Sequence, residues 1–120
     1  MTHVLIMDDE EDLLDMVSMG LTRFGLQTTC ILEPSAFFSQ VLHNEPDIIL
    51  MDIYLTKADG RDICRQLKEN KNFAHIPVVL YSAGNISDES IHSSLADGFV
   101  HKPFELKELS EKLLNLVSKK

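Results

Sequence analysis

The chain has 120 residues, of which 44% are hydrophobic and 25% are charged, and its formal net charge is −8. These values predict one soluble globular domain over residues 1–120 that buries a core without disulfides. No apolar run is long enough to span a membrane, so no membrane partner is expected. The negative charge disfavours direct contact with nucleic acid. An N-terminus without a secretory signal pattern predicts a cytoplasmic protein.

The first strand and helix are predicted near the N-terminus. His3–Met7 is a short apolar run that ends on five acids, and apolar residues recur at helical spacing from Leu13 to Phe24. Gly25 follows at the position where a left-handed residue ends many helices. Gln27–Leu32 is rich in β-branched residues but more polar than the other runs, which is typical of an edge strand.

The segment Ile48–Asp52 is the most informative element. Four apolar residues lead into one carboxylate, which predicts a strand buried on both faces that carries Asp52 at its carboxyl end, exposed in a crevice. The helix before this strand is predicted to begin at Pro34 or Ser35. Its buried stripe is predicted to consist of Phe37, Phe38, Val41 and Leu42.

A third helix and two further strands follow. The helix is marked by the apolar residues Ile63, Cys64 and Leu67, and the next strand is the apolar run Ile76–Tyr81. Gly98–His101 is a short strand suited to the second edge of a sheet. The two cysteines, Cys30 and Cys64, have neither CxxC nor metal-ligand spacing, so both are predicted to be reduced packing residues.

The fourth and fifth helices differ in strength. Between Asn85 and Asp97 large apolar residues are few and serines are frequent, which predicts a marginal and movable helix. The last helix is strongly amphipathic, and its terminal Lys119 and Lys120 suit a helix C-terminus. Its apolar residues are Leu106, Leu109, Leu113, Leu116 and Val117.

Five strands that alternate with five helices predict a three-layer (βα)5 domain with a parallel sheet. The polar second strand and the short fifth strand suit the edges, which gives the strand order 2-1-3-4-5. The loops after parallel strands meet at one edge of the sheet. The residues expected to converge there are Asp8, Asp9, Asp52, Ser82 and Lys102.

This set of side chains favours phosphoryl transfer. Three carboxylates in one crevice repel one another, and Mg²⁺ is the cation that prefers a few carboxylates together with water and phosphate oxygens. Lys102 offers a point charge and Ser82 a hydroxyl to a phosphoryl group. A carboxylate can then attack phosphorus and form an acyl phosphate.

These motifs resemble the receiver domain of two-component response regulators, the CheY-like family, over the whole chain. The acidic pair Asp8-Asp9, the acid in Met51-Asp52-Ile53, Gly60, Ser82 and Lys102-Pro103-Phe104 occur in family order and near family spacing. The resemblance implies a flavodoxin-like fold. It also implies a domain that catalyses its own phosphorylation and dephosphorylation and is not a conventional enzyme.

The resemblance also implies roles for single residues. Asp52 is implied to be the phosphoacceptor, and Lys102 and Ser82 are implied to hold the phosphoryl group. Mg²⁺ or Mn²⁺ is implied to bind Asp9 directly and Asp8 through water, together with Asp52 and the backbone carbonyl of Tyr54. Phe99 falls at the switch aromatic of the family, where Tyr is commoner, and Lys102-Pro103 resembles its cis peptide.

The implied partners are signalling proteins. A histidine kinase or a His-containing phosphotransfer protein is expected to phosphorylate the domain. The face formed by the fourth helix, fifth strand and fifth helix is expected to change, and a downstream effector or an output domain outside this chain is expected to read that change.

Two alternative functions remain, one that shares the fold and one that shares the Asp nucleophile. A pseudo-receiver would be a protein-binding module of this fold without phosphorylation, and such modules normally lack one of the site residues. A haloacid-dehalogenase-type phosphatase also uses an Asp nucleophile with Mg²⁺, but it requires a second Asp two residues later, where this chain has Tyr54.

Overall fold

The computed structural model describes residues 1–119, and residue 120, with the predicted Lys120 helix end, lies outside the described residues. Seven strands and five α-helices make up this part of the chain, apart from a short 3₁₀-helix at Pro34–Ala36. In order they are β1 (His3–Met7), α1 (Glu11–Arg23), β2 (Gln27–Ile31), α2 (Phe37–Asn44), β3 (Ile48–Asp52), β4 (Tyr54–Leu55), β5 (Ala58–Asp59), α3 (Gly60–Glu69), β6 (Val78–Ser82), α4 (Asp88–Ser93), β7 (Gly98–His101) and α5 (Leu106–Ser118).

The main sheet has five parallel strands in the order β2-β1-β3-β6-β7. In terms of the five strands predicted from the sequence this is the order 2-1-3-4-5, so the flavodoxin-like fold is confirmed. β1 and β3 are neighbours, as are β3 and β6. The carboxyl ends of these three strands therefore lie side by side.

The core consists of two layers, one on each face of the sheet. α2, α3 and α4 pack on one face through residues such as Val41 and Leu67, and α1 and α5 pack on the other through residues such as Val17 and Leu113. All five residues of β3 and all five of β6 are buried. Neighbouring β3 residues point into opposite layers, as Leu50 and Met51 do. This explains why the central strands have continuous apolar sequences.

Two predicted packing positions, Leu42 and Cys30, were wrong. Leu42 is 67% exposed because Phe37 and Val41 occupy the sheet-facing side of α2. Phe24, the last residue of the helical pattern, ends α1 and is 45% exposed. Cys30 is exposed on the edge strand β2, whereas Cys64 is buried as predicted. Gly25 has a φ of 87°, which confirms the left-handed helix end.

The helix predicted between Asn85 and Asp97 has only six residues and buries none of them. Ser87 begins it, with its Oγ accepting a hydrogen bond from Ser90 N at 3.1 Å. Leu95 lies beyond its end with a φ of 67° and is 48% exposed. Among residues 1–119, no helix combines the length and apolar character needed to cross a membrane.

The segment after β3, predicted as a loop, contains the antiparallel hairpin β4–β5. The chain then returns close to the end of β3, because Gly60 N donates to Ile53 O at 2.8 Å. A Cβ at residue 60 would lie 2.2 Å from Asp52 O and 3.1 Å from Ile53 Cα. Gly60 is therefore required by close backbone approach and helps to position Asp52.

We expect Gly60→Ala to lower the free energy of unfolding by about 3 kcal/mol, because the new methyl group collides with backbone atoms that cannot move alone. Urea denaturation measures this loss. The matched control is Gly98→Ala, where a Cβ would meet the flexible side chain of Lys112 at 3.2 Å. Its expected loss is below about 1 kcal/mol, and equal losses in the two variants would contradict the packing explanation.

Candidate functional site

Asp52 lies at the carboxyl end of β3 and is only 6% exposed. The prediction of an exposed carboxylate in a crevice was therefore wrong, because the returning chain at Gly60 packs against the end of this strand. Its Oδ2 lies 3.2 Å from Lys102 Nζ, and its Oδ1 accepts a hydrogen bond from Tyr54 N at 3.2 Å. The acid and the lysine predicted to meet do form an ion pair.

Asp8, which directly follows β1, is fully buried beside this ion pair. Its Oδ1 accepts from Glu10 N at 2.9 Å, and its Oδ2 accepts from the Tyr81 hydroxyl at 2.5 Å. Lys102 Nζ lies 3.7 Å from the same Oδ2. Lys102 therefore stands between the Asp8 and Asp52 carboxylates.

Tyr81 is a site residue that the sequence reasoning missed. Lys102 Nζ lies 4.8 Å from the centroid of the Tyr81 ring. The same ring packs edge-on against Phe104, with the two ring centroids 5.9 Å apart. Burial raises the pKa of the Tyr81 hydroxyl far above its ordinary value, so this group stays protonated and donates to Asp8. The sequence feature that could have indicated it is a tyrosine hydroxyl directly after the aliphatic residues Val78, Val79 and Leu80 of β6.

Asp9 faces a different direction from Asp8. Its Oδ2 accepts hydrogen bonds from both the backbone N and the Oγ1 of Thr56, which lies between β4 and β5. These donors, the hydroxyl first, hold the pKa of Asp9 below its ordinary value. The structure thus brings Asp8, Asp52 and Lys102 together, while Asp9 is held by the hairpin.

The other predicted residues lie around this centre. Ser82 ends β6 fully buried, with its Oγ accepting from Gly84 N at 3.0 Å and its carbonyl accepting from Lys102 N at 3.0 Å. The Lys102-Pro103 peptide is cis. Phe99 is half-buried against the core layer of α2, α3 and α4, and its ring meets the exposed His101 edge-on at 4.7 Å.

The electrostatics of Asp52 favour a cation beside it. Burial raises the pKa of the Asp52 carboxyl above its ordinary value, and the charge of Asp8 raises it further. Lys102 acts in the opposite direction but does not cancel these effects. A second cation in contact with the two acids would relieve the repulsion between them.

The donor set fits Mg²⁺ in its chemistry. Among residues 1–119 no three His, Cys, Asp or Glu side chains converge in the manner of a preformed metal site. Mg²⁺ commonly takes only one or two carboxylates and keeps several waters, and Asp52 and Asp8 supply two buried carboxylates that share one lysine. The bonds from Thr56 occupy Oδ2 of the third acid, Asp9.

Comparison with known proteins identifies the family. The response regulator receiver domain model matches residues 4–114. The chain belongs to the response regulator receiver domain family. The heme response regulator HssR of Staphylococcus epidermidis is 37% identical over 111 residues, which make up 91% of this chain and 48% of that protein. The DNA-binding dual master transcriptional regulator RpaA of Synechocystis is 32% identical over 111 residues, 91% of this chain and 46% of that protein.

Solved structures agree with the family assignment. The receiver domain of a signal transduction histidine kinase from Syntrophus aciditrophicus has a TM-score of 0.87 and 25% identity, with 99% of this chain and 92% of that one covered. A two-component response regulator from Clostridium difficile has a TM-score of 0.85 at 24% identity, with 100% and 98% covered, and supports the fold. This receiver domain chain spans about half the length of the curated relatives that it matches.

We expect Asp52→Asn to stabilise the domain by about 1 kcal/mol at neutral pH, because it removes a buried charge that faces Asp8. The raised pKa of Asp52 means that its ionised form destabilises the folded domain. The advantage of the variant is therefore present at pH values above this pKa and disappears at lower pH, where the wild-type carboxyl is neutral. Urea denaturation across pH measures this difference. Asp12→Asn in the first turn of α1, at an exposed acid, is the control and should change stability little. An Asp52→Asn variant less stable than wild type at neutral pH would contradict the interpretation.

Proposed function

We propose that this receiver domain is the phosphoacceptor of a two-component or phosphorelay system and that Asp52 takes the phosphoryl group. The observation that carries the proposal is the partly buried ion pair between Asp52 and Lys102 at 3.2 Å, at the carboxyl ends of β3 and β7 beside Asp8. A nucleophilic carboxylate, a second acid and a fixed cation in one place are what phosphoryl transfer to an aspartate requires.

In the proposed reaction one Asp52 oxygen attacks phosphorus while the bond from phosphorus to the donor breaks. Lys102 neutralises charge on the transferring oxygens, which it can do because its ammonium group already lies at Asp52 Oδ2. The Ser82 hydroxyl donates a hydrogen bond to one of these oxygens once it turns from Gly84 N. The products are an acyl phosphate on Asp52 and the released donor.

The metal site of the proposal consists of oxygen donors. Mg²⁺, or Mn²⁺ in its place, supplies further charge neutralisation at the phosphoryl group when bound. The residues that would hold it are Asp8, Asp9, Asp52 and the backbone carbonyl of Tyr54. The buried position of Asp8 and Asp52, with their unfavourable mutual charge, supports this assignment.

The proposed donor is a histidine kinase or a His-containing phosphotransfer protein, since receiver domains work with such partners. The proposed reader is a downstream effector or an output domain outside this chain. One relative is described as a DNA-binding transcriptional regulator and is about twice as long as the matched segment. The net charge of −8 favours protein contacts over direct DNA contacts for the domain itself.

The proposed switch is the face formed by α4, β7 and α5, with Phe99 as its aromatic residue. α4 buries no residue fully: Ile91 packs partly buried against the core, and two polar contacts join α4 to α3. Arg61 Nη1 donates to Ser90 Oγ at 2.8 Å, while the same guanidinium pairs with Asp59, and Arg65 Nε donates to Ser93 O at 3.3 Å. An element held in this way costs little to move.

The first test is intact mass spectrometry after incubation with a small acyl-phosphate donor and Mg²⁺. We expect one added phosphoryl group on the wild type, because Asp52 is the nucleophile, and none on Asp52→Asn or in EDTA.

Asp12→Asn is the matched control and should accept one group like the wild type, since Asp12 is an exposed acid outside the site. A wild type that takes no group, under conditions that phosphorylate another receiver domain, would reject the proposal in favour of a pseudo-receiver. An adduct that survives Asp52→Asn would reject the assignment of the acceptor.

The second test is hydrogen exchange before and after phosphorylation. Amides of α4 should exchange faster than those of α3 and α5, because α4 has no buried side chain. Phosphorylation should change exchange most strongly in α4 and β7. Asp52→Asn treated with the same donor should show no change, and equal protection of α4 and α5 in the unmodified protein would contradict the weak attachment of α4.

A further inference from the structure

The Tyr81 side chain bridges parts of the site that belong to different strands. It extends from β6 past the end of β3, where Tyr81 is the register partner of Asp52, and reaches Asp8 after β1. Its hydroxyl lies 2.5 Å from Asp8 Oδ2, and its ring carries the Lys102 ammonium group at 4.8 Å from the centroid. None of the roles proposed above for Asp52, Lys102 and Ser82 uses this tyrosine.

We propose that Tyr81 is a positioning residue that keeps Lys102 on Asp52 by satisfying the Asp8 carboxylate. The proposal rests on the proposed function, because it concerns how the lysine becomes available to a phosphoryl group on Asp52.

The distances show why Lys102 needs such a partner. Its Nζ lies 3.2 Å from Asp52 Oδ2 and 3.7 Å from Asp8 Oδ2, so both carboxylates compete for one ammonium group. Asp8 is the more buried acid, with 0% exposure against 6% for Asp52. A buried carboxylate that lacks hydrogen-bond donors is the costlier one, so Asp8 without other donors would attract the lysine.

Tyr81 changes the outcome of this competition. With Glu10 N on Oδ1 at 2.9 Å and the Tyr81 hydroxyl on Oδ2, each oxygen of Asp8 has a close donor. Asp8 is therefore hydrogen-bonded on both oxygens without the lysine, and Lys102 remains at the shorter distance from Asp52. The ring face of Tyr81 supports the ammonium group in that position through a cation–π contact.

Removal of the hydroxyl should reverse the arrangement. In Tyr81→Phe the ring remains, but Asp8 Oδ2 loses its donor at 2.5 Å and Lys102 is the cation beside it. We expect Lys102 Nζ to move closer to Asp8 than to Asp52. Because the lysine then neutralises Asp8, we expect Mg²⁺ to bind about tenfold more weakly, the loss typical of one hydrogen bond to a charged group.

The first experiment needs no metal. Crystal structures of the metal-free wild type and of Tyr81→Phe give the two distances from Lys102 Nζ directly. The expected result is a shorter distance to Asp52 in the wild type and a shorter distance to Asp8 in the variant. The same order of distances in both proteins, or a wild-type Tyr81 hydroxyl away from Asp8, would overturn the proposal.

The second experiment is calorimetric titration with Mg²⁺ of the wild type, Tyr81→Phe, Asp8→Ala and the double variant. If Tyr81 acts through Asp8, its tenfold effect should fall below about twofold in the Asp8→Ala background. A tenfold loss in both backgrounds, or no loss in Tyr81→Phe alone, would overturn the proposal.

Ser110→Ala is the matched control for loss of a buried hydroxyl. Its Oγ donates to Lys107 O at 2.7 Å within α5, and its removal should leave the Mg²⁺ affinity unchanged. A wild type that binds no Mg²⁺ and accepts no phosphoryl group would reject the proposed function. In that case the crystal structures would still decide whether Tyr81 positions Lys102.

Discussion

The position of Lys102 between the buried Asp8 and Asp52 carboxylates is the interaction on which the site depends. Lys102 follows β7, Asp8 follows β1 and Asp52 ends β3, so no short segment of the chain can form the site alone. It exists only when the order β2-β1-β3-β6-β7 brings those strand ends together. Two like charges held away from water are unfavourable unless a cation joins them. The packing of the sheet must therefore outweigh the cost of the site that it assembles.

The distribution of buried residues divides the domain into a rigid centre and a loosely held side. β3 and β6 are buried along their whole length and carry Asp52 and Ser82, so two residues of the proposed site are attached to fully buried elements. α4 has no fully buried residue and is held by the partly buried Ile91 and by the side chains of Arg61 and Arg65. The proposed turn of the Ser82 hydroxyl toward a phosphoryl group would then affect α4 at small cost, because few packed contacts hold that helix.

The sequence predicted the structure correctly where a single residue type or a regular apolar pattern determines the local structure. Continuous apolar runs predicted the central strands, Gly25 predicted the left-handed helix end, and the strand order brought Asp8, Asp52 and Lys102 together. The sequence did not predict contacts that depend on the direction of a single side chain. The contacts of Tyr81 with Asp8 and of Thr56 with Asp9 join residues 73 and 47 positions apart, and no periodicity encodes such pairs. Packing predictions likewise failed for Leu42 and Cys30. On a short helix such as α2, adjacent residues can differ between a buried and an exposed side chain, and Cys30 lies on an edge strand.

The environments of the three acids also differ in a way that favours Asp52 as the proposed nucleophile. Asp8 has a donor on each oxygen and no exposure, and Asp9 is tied to the hairpin by Thr56, which stabilises its charge. Asp52 alone combines a raised pKa, some exposure and an adjacent lysine. A carboxylate whose charge is poorly stabilised gains most from forming a bond to phosphorus, because the negative charge then spreads to oxygens that Lys102 can reach. The difference between three chemically identical side chains thus arises from burial and hydrogen bonding, which the fold determines.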